Sequence, residues 1–351
     1  MIQSLALFDF RNYQKTRFQF SEKNVVFYGG NGRGKTNILE AISLLSVGKS
    51  WRERVATDLI LHGQNSAKLE MRTVDGDMFQ VIIEPRGRNF TRNGKKISLK
   101  SHFGCIPTLL FVPEHLSLFA DSKRSRQRFF DRFLFQISPS YRDILARNNR
   151  TLKQKNALLR RESFSYSDCA TELDAWNSLL AETIPDILHA RQNLLKELNP
   201  ILRQTLAEIS GGKDSIEMRL EVCEKWQPTI QGVKEFFAMH GEREGAAKRS
   251  LIGPHRDDFS FFLRGRPIRS TASRGEERTV LLALLAAQKY LLQSKLEISP
   301  ILLLDDVFSE LDQSRQDYLE HLCNESQIFF TTTHKSHFEN FSYPVQKIRI
   351  A

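Results

Sequence analysis

The sequence predicts an α/β fold: a mixed sheet that carries a ligand loop, a small antiparallel sheet, and an inserted helical lobe. Three observations predict it. A strand, a glycine loop and a helix follow one another from Asn24 to Leu45. A run of four aliphatics ends in two carboxylates at Asp305 and Asp306. Between these stretches, period-two alternation gives way to a long helical and basic interval.

The chain has 351 residues and a formal net charge of +10, enough length for one large or two ordinary domains. Such a charge favours a polyanionic partner, nucleic acid before an anionic membrane surface. Cys105, Cys169, Cys223 and Cys323 are scattered with no C-x-x-C pair, as in a cytoplasmic protein with reduced thiols. No apolar run reaches the length of a membrane span, and Asp9 and Arg11 interrupt the apolar core that a signal peptide needs.

Two strands are expected first, Ile2 to Phe8 and Phe18 to Phe20, around a turn at Phe10-Arg11-Asn12-Tyr13. The turn either touches a nucleotide base or phosphate or is an exposed loop; the residues leave both open. Val25 to Tyr28 then reads as a strand entering Gly29-Gly30-Asn31-Gly32-Arg33-Gly34-Lys35-Thr36, which fits G-x-x-x-x-G-K-[ST]. Glycines let successive backbone N–H groups curl around phosphate oxygens. Ile38, Leu39, Ile42 and Leu45 fall at helical spacing behind it, so the positive end of a helix points at the same place. Lys35 is placed to reach β- and γ-phosphates and Thr36 to ligate Mg²⁺.

Arg52 follows in a basic stretch, as a cation for the nucleotide, for a partner's phosphates, or for neither. From Ala67 to Ile97 the alternation and the turns Asp75-Gly76 and Asn93-Gly94 predict antiparallel hairpins. The second hairpin carries Arg86, Arg88, Arg92, Lys95 and Lys96 around Phe90, a candidate ribbon for a nucleic-acid backbone. Thr108 to Val112 is a further strand. Beyond it, twelve basic residues from Lys123 to Arg161 face Asp121, Asp131 and Asp143 alone over that interval, which reads as a nucleic-acid surface. Helix continues from Asp168 to Phe237, and Gly241 to Ser250 reads as a linker. These boundaries give a nucleotide head at 1–115 and 251–351 with a helical insertion at 116–250.

In the second half, Ser273 and Glu276 form a capping box, and the capped helix start with Arg274 and Gly275 can grip an anion. Ile301 to Leu304 reads as a fully buried parallel strand. Asp305 at its end is placed to hold Mg²⁺, and Asp306 to orient or deprotonate water. Ser309-Glu310-Leu311-Asp312 is a turn, and the strand Ile328 to Thr331 runs to His334, a candidate sensor of the γ-phosphate.

The order of these parts resembles the ATP-binding-cassette ATPases of the SMC class. Phe10-Arg11-Asn12-Tyr13, Gly34-Lys35-Thr36-Asn37, Gly253-Pro254-His255-Arg256-Asp257-Asp258 and the string from Asp305 to Asp312 narrow the resemblance to the RecF family. It covers both ends of the chain and its length. It implies a cassette head without a long coiled coil, weak ATP hydrolysis with Mg²⁺, and an ATP-dependent homodimer. Each site of Gly29 to Asn37 would be completed by Ser273, Arg274 and Gly275 of the other chain, with Asp306 and His334 catalytic. It also implies binding to double-stranded DNA at gaps and junctions, and work with RecR and RecO to load RecA. Two positions depart from the family pattern. Glu276 stands where Gln is common, and Asp306 where most cassette ATPases have Glu; Glu114 is the closest match to a glutamine loop.

Overall fold

The computed structural model describes residues 1–52, 55–102, 105–120, 122–307, 311–323, 325–334 and 343–351. Asp121, Ser309 and Glu310 lie outside the described residues. The chain divides into two compact units: 1–117, 204–214 and 272–351 form the first, and 118–203 and 215–271 the second.

The first unit begins with β1 (Ile2–Phe10), β2 (Tyr13–Gln19), β3 (Asn24–Tyr28) and helix α1 (Lys35–Val47). Next come β4 (Ala67–Thr73), β5 (Met78–Glu84), β6 (Gly87–Arg92), β7 (Lys95–Ile97), the one-turn helix α2 (Leu99–His102) and β8 (Thr108–Phe111). The second unit holds α3 (Lys123–Ile137), α4 (Pro139–Leu159), α5 (Ala170–Ala181), most of α6 (Ile184–Ser210), β9 (Ile216–Glu221), α7 (Ile230–Ala247), β10 (Asp258–Leu263), β11 (Arg266–Pro267) and α8 (Ile268–Thr271). The chain then completes the first unit with α9 (Arg274–Leu296), β12 (Ile301–Asp305), α10 (Gln313–Cys323), β13 (Ile328–Thr332) and β14 (Val345–Arg349).

The expected mixed sheet is divided between two sheets of the first unit. One has five strands in the order β14-β3-β13-β12-β8, every pair parallel. β12 and β13 are buried at all five positions, which is why their sequences are continuous apolar runs without alternation. The other sheet is antiparallel, β2-β1-β4-β5-β6-β7, with hairpin turns at the predicted Asp75-Gly76 and Asn93-Gly94. It is larger than the four strands of the 67–97 stretch because β1 pairs with β2 on one side and β4 on the other. Helix α1 is buried almost all round, and its Ile38, Leu39, Ile42 and Leu45 share one apolar cluster with residues of both sheets.

The second unit differs from the sequence reading in three places. A strand, β9, interrupts the expected helical run and pairs with β10 over Ile216 to Glu221; residues 251–271 therefore fall in this unit, and 204–214 in the other. The expected linker 241–250 is instead the end of α7, which runs to Ala247. Its two glycines sit in the helix because rings lie against them: a Cβ on Gly241 would collide with Tyr166, and one on Gly245 with Phe164. The string Gly253 to Asp258 is the hub of a buried polar network. The Pro254 carbonyl accepts from Gln127 at 2.9 Å and from Arg191 at 2.7 Å. Arg191, 1% exposed, is also ion-paired with Asp131 at 3.0 Å and Asp257 at 3.5 Å. Arg126 grips Asp258 through two 2.8 Å bonds. These ties lock α3 and α6 to the loop before β10, which gives that string a structural role.

Candidate nucleotide site

The parallel sheet delivers β3 into the glycine loop and β12 into the two aspartates; these strands flank β13 on either side, so both halves of the predicted site emerge at the same end of the sheet, where α/β sheets place ligands. Gly29 has a φ of +151°, and a Cβ there would strike the carbonyl of Ile350. Gly34 has a φ of +97°, with the Asn12 amide pressed against the position a Cβ would fill. Neither position accommodates another residue without strain.

Lys35 opens α1 and is 8% exposed. Its Nζ donates to the carbonyls of Gly29 and Gly30, both at 2.8 Å, so the loop curls around its own lysine. Burial lowers the Lys35 pKa, and the charges of Asp306 and Asp305 work the other way. Thr36 Oγ1 lies 2.9 Å from each carboxylate oxygen of Asp305, and Thr331 Oγ1 on β13 donates to the same carboxylate at 2.6 Å. Asp306 has a φ of +47°, in the left-handed region that aspartate tolerates better than most residues. Its N–H is held there by the carbonyl of Thr331 at 3.2 Å and its hydroxyl at 3.0 Å.

These groups line a cleft of about 390 Å³. Its wall comprises loop residues 31–37, Arg52, Pro113, both aspartates, Thr331 and Thr333. Thr36 and Asp305 offer hard oxygen donors converging on one point, a set that fits Mg²⁺, which keeps several waters and shares phosphate oxygens. Among the described residues no group of three or more His, Cys, Asp or Glu gathers to hold a metal, so such an ion would draw the rest of its shell from water and ligand.

His334 follows β13 and is exposed; its neighbour Thr333 lines the cleft and His334 does not. Glu114 is likewise outside the lining, where Pro113 stands. Ser273, Arg274 and Gly275 also lie outside this cleft, at the start of α9. There Ser273 Oγ accepts from Glu276 N at 3.3 Å, and the Glu276 carboxylate accepts from Ser273 N at 2.7 Å. Glu276 is thus engaged in the cap, and Arg274 pairs with Glu277 at 3.0 Å instead. Among the described residues, a Cβ on Gly275 would have Ser273 Oγ, at 4.0 Å, as its nearest neighbour beyond the adjoining residues and the helix backbone.

Sequence reasoning did not find the parts played by Thr331, Glu40 and Asn12. Thr331 orients Asp305 from a neighbouring strand, a relation that only strand pairing reveals. Glu40 is a charge within the apolar face of α1, and Asn12 is part of the turn whose role the residues left open.

The basic surface is thinner than the residue count suggested. In the second hairpin, Arg92 pairs with Asp77 at 2.6 Å, Arg88 donates to the Gly48 carbonyl, and Phe90 is buried. The basic helices find acidic partners from outside their own interval: Arg126 with Asp258, Arg147 with Glu182, Lys155 with Glu244 and Arg161 with Glu172. Arg124, Arg128, Arg150, Lys153 and Arg160 remain exposed.

The RecF/RecN/SMC N-terminal domain model matches residues 1–349. A DNA replication and repair protein RecF from Heliobacterium modesticaldum is 36% identical over 95% of this chain and 92% of its own length. One from Gloeobacter violaceus is 32% identical over 97% and 93%. A solved structure described as the recombination mediator protein RecF-ATP in the RecFOR pathway superposes with a TM-score of 0.87 at 28% identity, covering 96% of this chain and 93% of that one. An Smc head domain from Pyrococcus furiosus shares the fold, with a TM-score of 0.53 at 17% identity over 97% of this chain and 91% of its own. A phosphate loop and a carboxylate-ended strand meeting in one cleft of an SMC-type head, with relatives alike along nearly their whole length, place this chain in the RecF family.

Proposed function

We propose that this chain is an ATP-dependent switch of recombinational DNA repair, in which ATP and Mg²⁺ bind in the cleft and two copies close on DNA. The observation that carries the reading is the convergence of Lys35, Thr36 and Asp305 from distant parts of the sequence on one point beside the glycine loop. The ATP-bound RecF relative supports the choice of nucleotide.

Residue by residue, the loop N–H groups from Asn31 to Thr36 face the phosphates, and Lys35 exchanges its bonds to Gly29 and Gly30 for phosphate oxygens. Thr36 and Asp305 would hold Mg²⁺, which would supply positive charge to offset that of the phosphates. Asp306 orients water for attack, with a side chain one methylene shorter than glutamate, and hydrolysis is accordingly slow. Ser273, Arg274 and Gly275, at the start of α9, meet the γ-phosphate held by a second copy, and His334 senses it.

The unit formed by 1–117, 204–214 and 272–351 carries this chemistry, and the unit formed by 118–203 and 215–271 displays the exposed arginines and lysines to DNA. In the RecFOR pathway named for the relative, the partners are RecR and RecO, and the DNA is gapped or junction-containing duplex at which RecA is loaded. No helix among the described residues is long and apolar enough to cross a membrane, and the site of action is the cytoplasm.

The test is retention of a gapped duplex measured against nucleotide and salt. The proposal expects tighter binding with ATP than with ADP, and a steep linear fall of log affinity with log salt. Affinity that is indifferent to nucleotide, or flat with salt, would remove the switch.

A further inference from the structure

The turn Arg11-Asn12 bridges β1 and β2 and makes two sets of contacts that the nucleotide reading does not use. Asn12 Nδ2 donates to the Arg33 carbonyl at 3.2 Å, its Oδ1 accepts from Asn37 Nδ2 at 2.8 Å, and Tyr13 Oη donates to the Gly34 carbonyl at 3.1 Å. The carbonyls of the last two loop residues before Lys35 are thus held from outside the loop. On the other side, Arg11 grips the wholly buried carboxylate of Glu40 on α1 through two bonds of 2.9 and 2.7 Å. It also donates to the Asp58 carbonyl at 2.6 Å. Ser50 Oγ donates to Glu40 and accepts from the backbone N–H of Arg52 at 2.9 Å. Arg52, which lines the cleft, donates in turn to Asn37 Oδ1 at 3.1 Å. Asn37 returns the chain of bonds to Asn12, closing a ring around the loop.

We propose that Arg11 and Asn12 are positioning residues of the nucleotide site: they hold the final peptides of the phosphate loop and the Arg52 side chain in place before any ligand enters. Arg11 does so through Glu40 and Ser50, and Asn12 through Asn37 and the Arg33 carbonyl. The Arg11 guanidinium is bound to Glu40 and the Asp58 carbonyl, so it acts on the nucleotide through the brace and not by contact. A loop fixed in this way loses less conformational freedom when phosphate binds, and it presents its donors without reorganisation. The same brace explains Gly34: its φ excludes other residues, and Asn12 leaves no room for a Cβ.

This inference rests on the nucleotide reading, and the experiment separates the two. Affinity for a fluorescent ATP analogue with Mg²⁺ is measured for wild type, Asn12→Ala, Arg52→Ala and the double variant, with melting temperatures alongside. Asn12 is exposed, and Asn12→Ser serves as a second probe of the same bonds. The expected result is a loss of about tenfold in affinity for Asn12→Ala, as for one or two hydrogen bonds of ordinary strength. The melting temperature stays near wild type, and the double variant is clearly less impaired than the product of the singles, because both residues act through Asn37. Unchanged affinity in both Asn12 variants, or single effects that multiply, would overturn the brace. A wild-type protein that does not bind the analogue would overturn the nucleotide reading, and the brace with it.

Discussion

Replacing His102 should make the first unit markedly less sensitive to acid. His102 ends α2, is 1% exposed, and packs between Phe79 and Phe90 at ring distances of 5.6 and 5.0 Å. Burial pushes its pKa down to about 4 from 6.5. Between those values the unfolded chain binds a proton that the folded chain refuses, so stability is fully present above pH 6.5 and is lost as pH falls toward 4. From pH 7 to 5 the loss attributable to this one ring is roughly 2 kcal/mol. For a unit of about 200 residues that is about 4–8 °C of melting temperature. His255 in the second unit is lowered to about 4 by burial in the same way, but Asp257 beside it is raised by burial to about 6. Asp257 therefore adds stability as pH falls from 6 toward 3.8, and the two largely offset each other. The assay is thermal unfolding of wild type and His102→Leu at pH 7 and pH 5, reading the transition of the first unit. Leu should abolish most of the acid-induced drop. Equal drops in the two proteins would refute the reasoning.

Lys35→Met removes two charge-assisted hydrogen bonds to phosphate, each worth about 1.5–3 kcal/mol, so equilibrium titration should show ATP affinity reduced about a hundredfold or more. Asp306→Asn keeps the geometry and removes the carboxylate. Turnover should fall at least about a hundredfold while an ATP-bound dimer persists in size-exclusion chromatography; a protein in which ATP is purely structural would be indifferent. Gly241→Ala gains about 1 kcal/mol of helix propensity but drives a methyl into Tyr166, at about 1–3 kcal/mol for overpacking. Urea unfolding should therefore show no gain and most plainly a loss, which separates a packing glycine from a linker glycine.

The nucleotide half of the molecule was legible because its chemistry is written in contiguous strings. Gly29 to Thr36 must be contiguous to curl around phosphates, and Ile301 to Leu304 must be apolar to lie in the middle of a parallel sheet. The hairpin turns were legible for the same reason, since Asp75-Gly76 and Asn93-Gly94 act locally. What escaped the sequence depends on partners far along the chain. Gly241 looks like a chain breaker until Tyr166 is seen against it. The basic residues from Arg126 to Arg161 look unpaired until Asp258, Glu182, Glu244 and Glu172 arrive from elsewhere, and burying Lys155 with Glu244 at 2.6 Å removes a charge from the surface that the count had assigned to DNA. β9 was missed because a six-residue strand between long helices carries little periodicity of its own. At the site, Thr331 and Asn12 were hidden because each acts through hydrogen bonds to residues far along the chain, Thr331 across strands and Asn12 from a turn to the glycine loop and α1, with no spacing to announce it.

Sedimentation of wild type and Ser273→Arg, each saturated with ATP and Mg²⁺, tests most directly whether one chain closes over the nucleotide of another. The account predicts that wild type reaches twice the 40.6 kDa of a single chain, while Ser273→Arg binds ATP equally well and stays a monomer. A wild-type protein that remains monomeric with its cleft filled, or a Ser273→Arg variant that dimerises as readily, would contradict it.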